Sequence, residues 1–166
     1  MKMAFVLLLG LAAVLPAVAC DSPAGEGFAI YLPAQDIRVS QAEAVSHFDL
    51  SDTPLLSRAD IAAYERETHE IELTASAYQR LQGLKVPTDG KVFVVCVDRQ
   101  QVYWGAFWPV YSSASFSGVT IRTPLSPDGN TIRLQTGYPS DSFATGKDQR
   151  SDARVIQALQ RAGKLK

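Results

Sequence analysis

Hydrophobic and polar positions divide most of this chain into short strands and two longer helices. "GFAIYLP", Gly27 to Pro33, alternates in part and stops at proline, which predicts a strand over 27–32. "DIRVSQAEAVSHFDL" follows neither period clearly. "SDTPLLS" reads as a turn before Ser57-Arg-Ala-Asp60, which either caps a helix carrying Ile61 and Tyr64 or leads into an irregular strand. In "HEIELT" the glutamates alternate with Ile71 and Leu73, the pattern of a half-buried strand. Thr74 then caps a helix in which Ala77, Tyr78, Leu81 and Leu84 share a face, with Gly83 at its end. Two β-branched and aromatic runs, Lys91–Asp98 and Val102–Trp108, predict a β-hairpin. "SGVTIRTP" predicts a further strand, "SPDGN" a tight turn and "TIRLQTG" a returning strand. Ser151 is placed to cap a last helix with Val155, Ile156, Leu159 and Ala162 inward and Gly163 closing it. Strands in succession with two helices laid on them predict an α+β fold with a largely antiparallel sheet.

The first residues change the picture from fold to compartment. One lysine precedes Ala4–Leu15, a stretch with no polar side chain that would make about 18 Å of helix, short of a ~30 Å hydrocarbon core. A charged start, a short apolar run and small residues form an export signal over residues 1–19. Ala17-Val18-Ala19 suits cleavage before Cys20 by a signal peptidase, and the same residues with Cys20 resemble a bacterial lipobox, in which the thiol would carry lipid. The lipoprotein form is favoured because a polar tether, 20–26, follows at once. The rest, 27–166, is expected to be a single domain large enough to bury its own core.

Charge then narrows the partners. Sixteen basic and 17 acidic side chains alternate without forming a basic stripe, so nucleic acid is not an expected partner. Cys20 and Cys96 are the chain's two cysteines. Acylated, Cys20 leaves Cys96 without a partner; free in an oxidising compartment, the two could pair.

Five segments come in a familiar order: "PLLSRADI" (54–61), "HEIELTASAYQRL" (69–81), "GKVFVVCVDRQQVY" (90–103), "SFSGVTI" (115–121) and "DARVIQALQRAGKL" (152–165). Together they resemble the periplasmic head subdomain of the protein-export subunit SecD, over about residues 54–166. The resemblance implies a strand followed at once by a capped helix, a hairpin, a late glycine-containing strand and a helix ending in Ala-Gly-x-Leu. It also implies a role beside the export machinery. Asp98-Arg99 stands where that family tends to have Asp-Gly, and "WGAFWPVYSSAS" is more aromatic than the family pattern.

Catalytic signatures are sparse. Cys96, inside "VFVVCVD", has the setting of a buried small hydrophobe, and its use as a nucleophile would need His47 or His69 beside it. Two histidines without an acidic cluster make a poor zinc site, so no metal is expected. Ser112, Ser113 and Ser115 lie outside any G-x-S-x-G elbow. Gly146-Lys147 lacks phosphate-loop spacing, so no cofactor is expected. The strongest signal is aromatic: Tyr103, Trp104, Phe107, Trp108, Tyr111 and Phe116 fall within fourteen residues. On a strand they place rings on both faces, and a solvated ring face would mark a contact site. The sequence therefore reads as an exported, lipid-anchored, non-catalytic cell-envelope domain that binds or scaffolds through Tyr103–Phe116. The alternatives are an accessory of protein export and an envelope thiol enzyme using Cys96.

Overall fold

The computed structural model describes residues 27–166. The export signal, Cys20 and the tether lie outside the described residues. The fold is α+β. Its strands are β1 (Phe28–Tyr31), β2 (Ile61–Glu65), β3 (Glu70–Leu73), β4 (Lys91–Val97), β5 (Gln100–Pro109), β6 (Phe116–Thr123), β7 (Thr131–Arg133) and β8 (Gln135–Tyr138). Its helices are the single turn α1 (Val39–Ala42), α2 (Ala75–Gln82) and α3 (Ala153–Arg161). Among the described residues no helix is long and apolar enough to cross a membrane.

Five strands form one sheet in the order β1-β4-β5-β6-β8, and β2-β3-β7 form a second. All pairings are antiparallel except β5 with β6, which run parallel with Gly105 opposite Val119. The β4–β5 hairpin closes through Asp98 and Arg99, both at positive φ (51° and 61°). Positive φ at both turn positions matches the twist of the flanking strands and is usually supplied by Asn-Gly. Here Asp98 is also held by the Gly27 amide, which donates to its Oδ1 at 2.6 Å.

Both faces of the five-stranded sheet are covered, and this decides where every side chain of β4 and β5 goes. One face presents Phe28, Ile30, Phe93, Val95, Tyr103, Phe107 and Ile121 to α2, α3 and the three-stranded sheet. The other presents Tyr31, Val94, Cys96, Ala106, Trp108 and Phe116, roofed by Val39, Ala42 and Phe48 from the 37–50 segment. That segment lacks a clear period because it is a cover, mostly irregular, whose inward contacts (Ile37, Val39, Ala42, Val45, Phe48 and Leu50) are unevenly spaced.

The helices form where the apolar spacing places them. Thr74 accepts from the Ala77 amide at the start of α2. In α3 the cap is Asp152, accepting from the Arg154 amide, one residue beyond the expected Ser151. The 57–64 segment resolves as a 3-10 turn, Arg58–Asp60, followed by β2, because Asp60 turns back to accept from the Ser57 amide and hydroxyl, both at 2.8 Å. The expectation of one returning strand over "TIRLQTG" is corrected. The chain changes sheets at Leu134, so β7 joins β3 while β8 joins β6. Leu134 is fully buried and its amide donates to the His69 carbonyl at 3.0 Å, which pins the corner between the two layers.

Candidate functional site

The aromatic block does not form one solvated face. Tyr103 and Phe107 enter the first core, whereas Trp108 and Phe116 enter the second, with their rings stacked at 5.2 Å and 10°. These four rings are buried and cannot meet a partner without unfolding. Trp104 is half-buried, tilted against Phe48 and Phe116, and borders a hollow of about 250 Å³ lined also by Gly118 and Lys147. Tyr111 is 67% exposed beyond the end of β5. Six rings close in sequence thus separate into two cores and two surface positions. Alternation on a strand covered on both sides is the reason.

Cys96 is fully buried on β4, and burial pushes its thiol up to about 11, with only partial relief from Arg99. It lies in the second core, while His69 sits against Tyr64 beside the first. His47 is exposed in the covering segment, 3.4 Å from Gln101 Nε2. The structure therefore brings neither histidine to the thiol as a general base. At pH 8 a thiol titrating near 11 is thiolate about one part in a thousand. Alkylation of native chain at pH 8 is expected to leave Cys96 unlabelled over hours, with rapid labelling once urea unfolds the protein. Fast native labelling, followed by peptide mass mapping, would contradict this placement.

A shallow polar basin of about 460 Å³ lies at the seam between the two sheets, where the chain crosses at Leu134. Arg122 comes to it from β6, Arg133 from β7, His69 from the β2–β3 turn and Arg150 from the segment before α3. Glu67 and Asp141 also line it.

Each arginine is held differently. All three nitrogens of Arg150 are engaged: its Nε and Nη2 donate to both oxygens of Asp148 at 2.9 and 2.7 Å, and Nη1 donates to the Leu134 carbonyl at 2.8 Å. This clamp fixes the crossover and holds the Asp148 carboxyl below the usual carboxylate range. Arg122 donates through Nη2 to the Pro139 carbonyl at 2.7 Å, and its guanidinium carbon stands 5.6 Å from the Tyr138 ring centre. Arg133 donates through Nε to the Thr68 carbonyl at 3.0 Å. Each of these two has terminal N–H groups without an acceptor among the described residues, and the buried Arg122 Nε and Thr68 Oγ1 also lack partners there.

His69 has positive φ, 56°, and is buried. Its Nδ1 is 3.0 Å from the Tyr64 hydroxyl, shorter than that hydroxyl's 3.4 Å contact to the Arg150 carbonyl. The hydroxyl carries one proton, so the tautomer of His69 follows from whether that proton goes to Nδ1 or to the Arg150 carbonyl. Burial lowers the pKa of the imidazole, Arg150 and Arg133 lower it further, and Asp148 opposes them. His69 is therefore neutral near pH 7.

Reading the sequence for local motifs misses Arg122, Arg133 and Arg150. The two tripeptides Thr120-Ile-Arg122 and Thr131-Ile-Arg133 carry a faint signal. In each, a buried isoleucine turns the following arginine to the opposite side of its strand. Only sheet pairing shows that the two arginines meet at one basin. Among the described residues no group of three His, Cys, Asp or Glu side chains is placed to hold a metal ion.

These features define the class of protein as a two-sheet α+β domain with a polar basin at the sheet seam. The chain matches no protein-family model, no curated protein and no solved structure.

Proposed function

We propose that this chain is an exported, lipid-anchored, non-catalytic domain of the cell envelope that works by binding, with the basin at the sheet seam as its binding surface. The observation that carries the binding reading is the pair of guanidiniums, Arg122 and Arg133. Each is tied to the backbone by one nitrogen and keeps terminal donors free of acceptors among the described residues. Arg122 Nε is in addition buried without a partner among the described residues, which is where an unmet donor is costly. The anchor rests on the sequence of residues 1–26, which would deliver the domain at Gly27 beside the Asp98–Arg99 turn.

The anchor has a direct test. The N-terminal peptide of the chain purified from its native host should begin at Cys20 and carry the added mass of a diacylglycerol, and Cys20→Ala should release the domain from the membrane fraction. A chain that still begins at Met1 and fractionates with the soluble interior overturns it. The export-accessory reading rests on segment order alone, and site-specific crosslinking to the translocon tests it. The thiol-enzyme reading lacks support in the placement of Cys96 and His69 in separate layers.

A further inference from the structure

We infer that the basin at the sheet seam binds a small oxyanion, a carboxylate or a phosphate group, gripped by Arg122 and Arg133 from the two sheets beside the His69 ring. The inference deepens the binding reading above by naming the ligand chemistry, and it is independent of the anchor.

Three observations support it. First, the two arginines come from separate sheets and each is tied to the backbone by one nitrogen. Arg122 is held to Pro139 and laid over Tyr138, Arg133 is held to Thr68, and His69 is held by Tyr64. Part of the entropy of ordering Arg122 is therefore spent before a ligand arrives. Second, the two arginines offer donors alone. A guanidinium offers five N–H groups and no acceptor. A ligand that completes this set must bring acceptors, and planar or tetrahedral oxygens match the guanidinium fork. Third, the charge is limited. Arg150 is neutralised by Asp148, while Glu67 and Asp141 line the same basin and offset Arg122 and Arg133. A site so balanced suits one small anionic group and opposes a polyanion. The volume, about 460 Å³, lies in the range of small-molecule sites.

The test is a titration of the full-length chain, kept in mild detergent and labelled for observation of histidine ring signals. Inorganic phosphate and acetate are the two probes, and sodium chloride at matched ionic strength is the control. The expected result is a saturable shift of the His69 ring signals with at least one oxyanion and none with chloride. The probe with the lower midpoint identifies the source. Arg122→Gln and Arg133→Gln should each raise that midpoint about tenfold or more, as loss of a charge-assisted pair does. Arg133→Lys, which keeps the charge without the fork, should raise it less. Arg133 is exposed and makes a single backbone contact, so its variants keep the test open even if Arg122→Gln perturbs the fold. Linear drift without saturation for both oxyanions, an equal response to chloride, or midpoints unmoved by the Arg133 variants would overturn the inference. A lipid-free or cytosolic form of the protein would overturn the anchor alone and leave this result standing.

Discussion

Trp108→Ala is expected to destabilise the protein by about 3–5 kcal/mol, the range for removing a large aromatic from a core. The thermal midpoint should fall by roughly 10 °C or more. The ring is 3% exposed, stacks on Phe116 at 5.2 Å and approaches Tyr138 at 6.0 Å. It also fills the space over Gly90, where an added Cβ would stand 2.6 Å from the indole Cε3. Nothing small can replace that volume without a cavity. Trp104→Ala should cost much less, because that ring is half-buried and keeps one side toward the hollow while it meets the rings of Phe48 and Phe116 at 6.1 and 5.7 Å. Urea melts of the two variants measure the difference. Equal losses would refute the assignment of the two tryptophans to core and surface. The same contrast decides how partner binding is probed: a Trp108 variant that loses a partner reports on folding, whereas a Trp104 or Tyr111 variant reports on the surface.

Gly105→Ala is expected to cost about 3 kcal/mol, at the upper end of overpacking changes. Gly105 lies mid-strand in β5, opposite Phe93 on one side and Val119 on the other. A Cβ there would press on the Val119 carbonyl oxygen and stand 2.5 Å from Phe93 Cζ. The carbonyl belongs to the parallel β5–β6 ladder and the Phe93 ring is fully buried against Phe107, so neither can yield cheaply. Gly83→Ala serves as the control. Its new Cβ would meet Arg80 O at 3.5 Å, an ordinary contact, and the residue has helical φ, so stability should hold or rise slightly. If Gly105→Ala melts with the parent chain, β6 does not lie against β5 as described.

Much of the fold was legible in the sequence. The two helices, the β3 strand entering a capped helix and the β4–β5 hairpin all follow from spacing and turn chemistry within a few residues. Thr74 shows this well: one hydroxyl at the right offset caps α2. The candidate site was not legible. Arg122, Arg133 and Arg150 are far apart in sequence and sit on separate elements. No local pattern distinguishes them from solvated arginines on strand faces. The aromatic block failed for the opposite reason. Its density was visible, but which rings were buried depended on whether the second face of the sheet had a cover. That cover is the 37–50 segment, whose pattern showed neither period.

What the sequence by itself determined is the set of local elements and their inward faces, because helix and strand periods act between near neighbours. The tertiary structure alone decided three matters: the parallel pairing of β5 with β6, the change of sheet at Leu134, and the meeting of the arginines with His69. Each depends on contacts between residues distant in the chain. Such contacts form only when both faces of the large sheet are covered and the Leu134 side chain is buried between the layers.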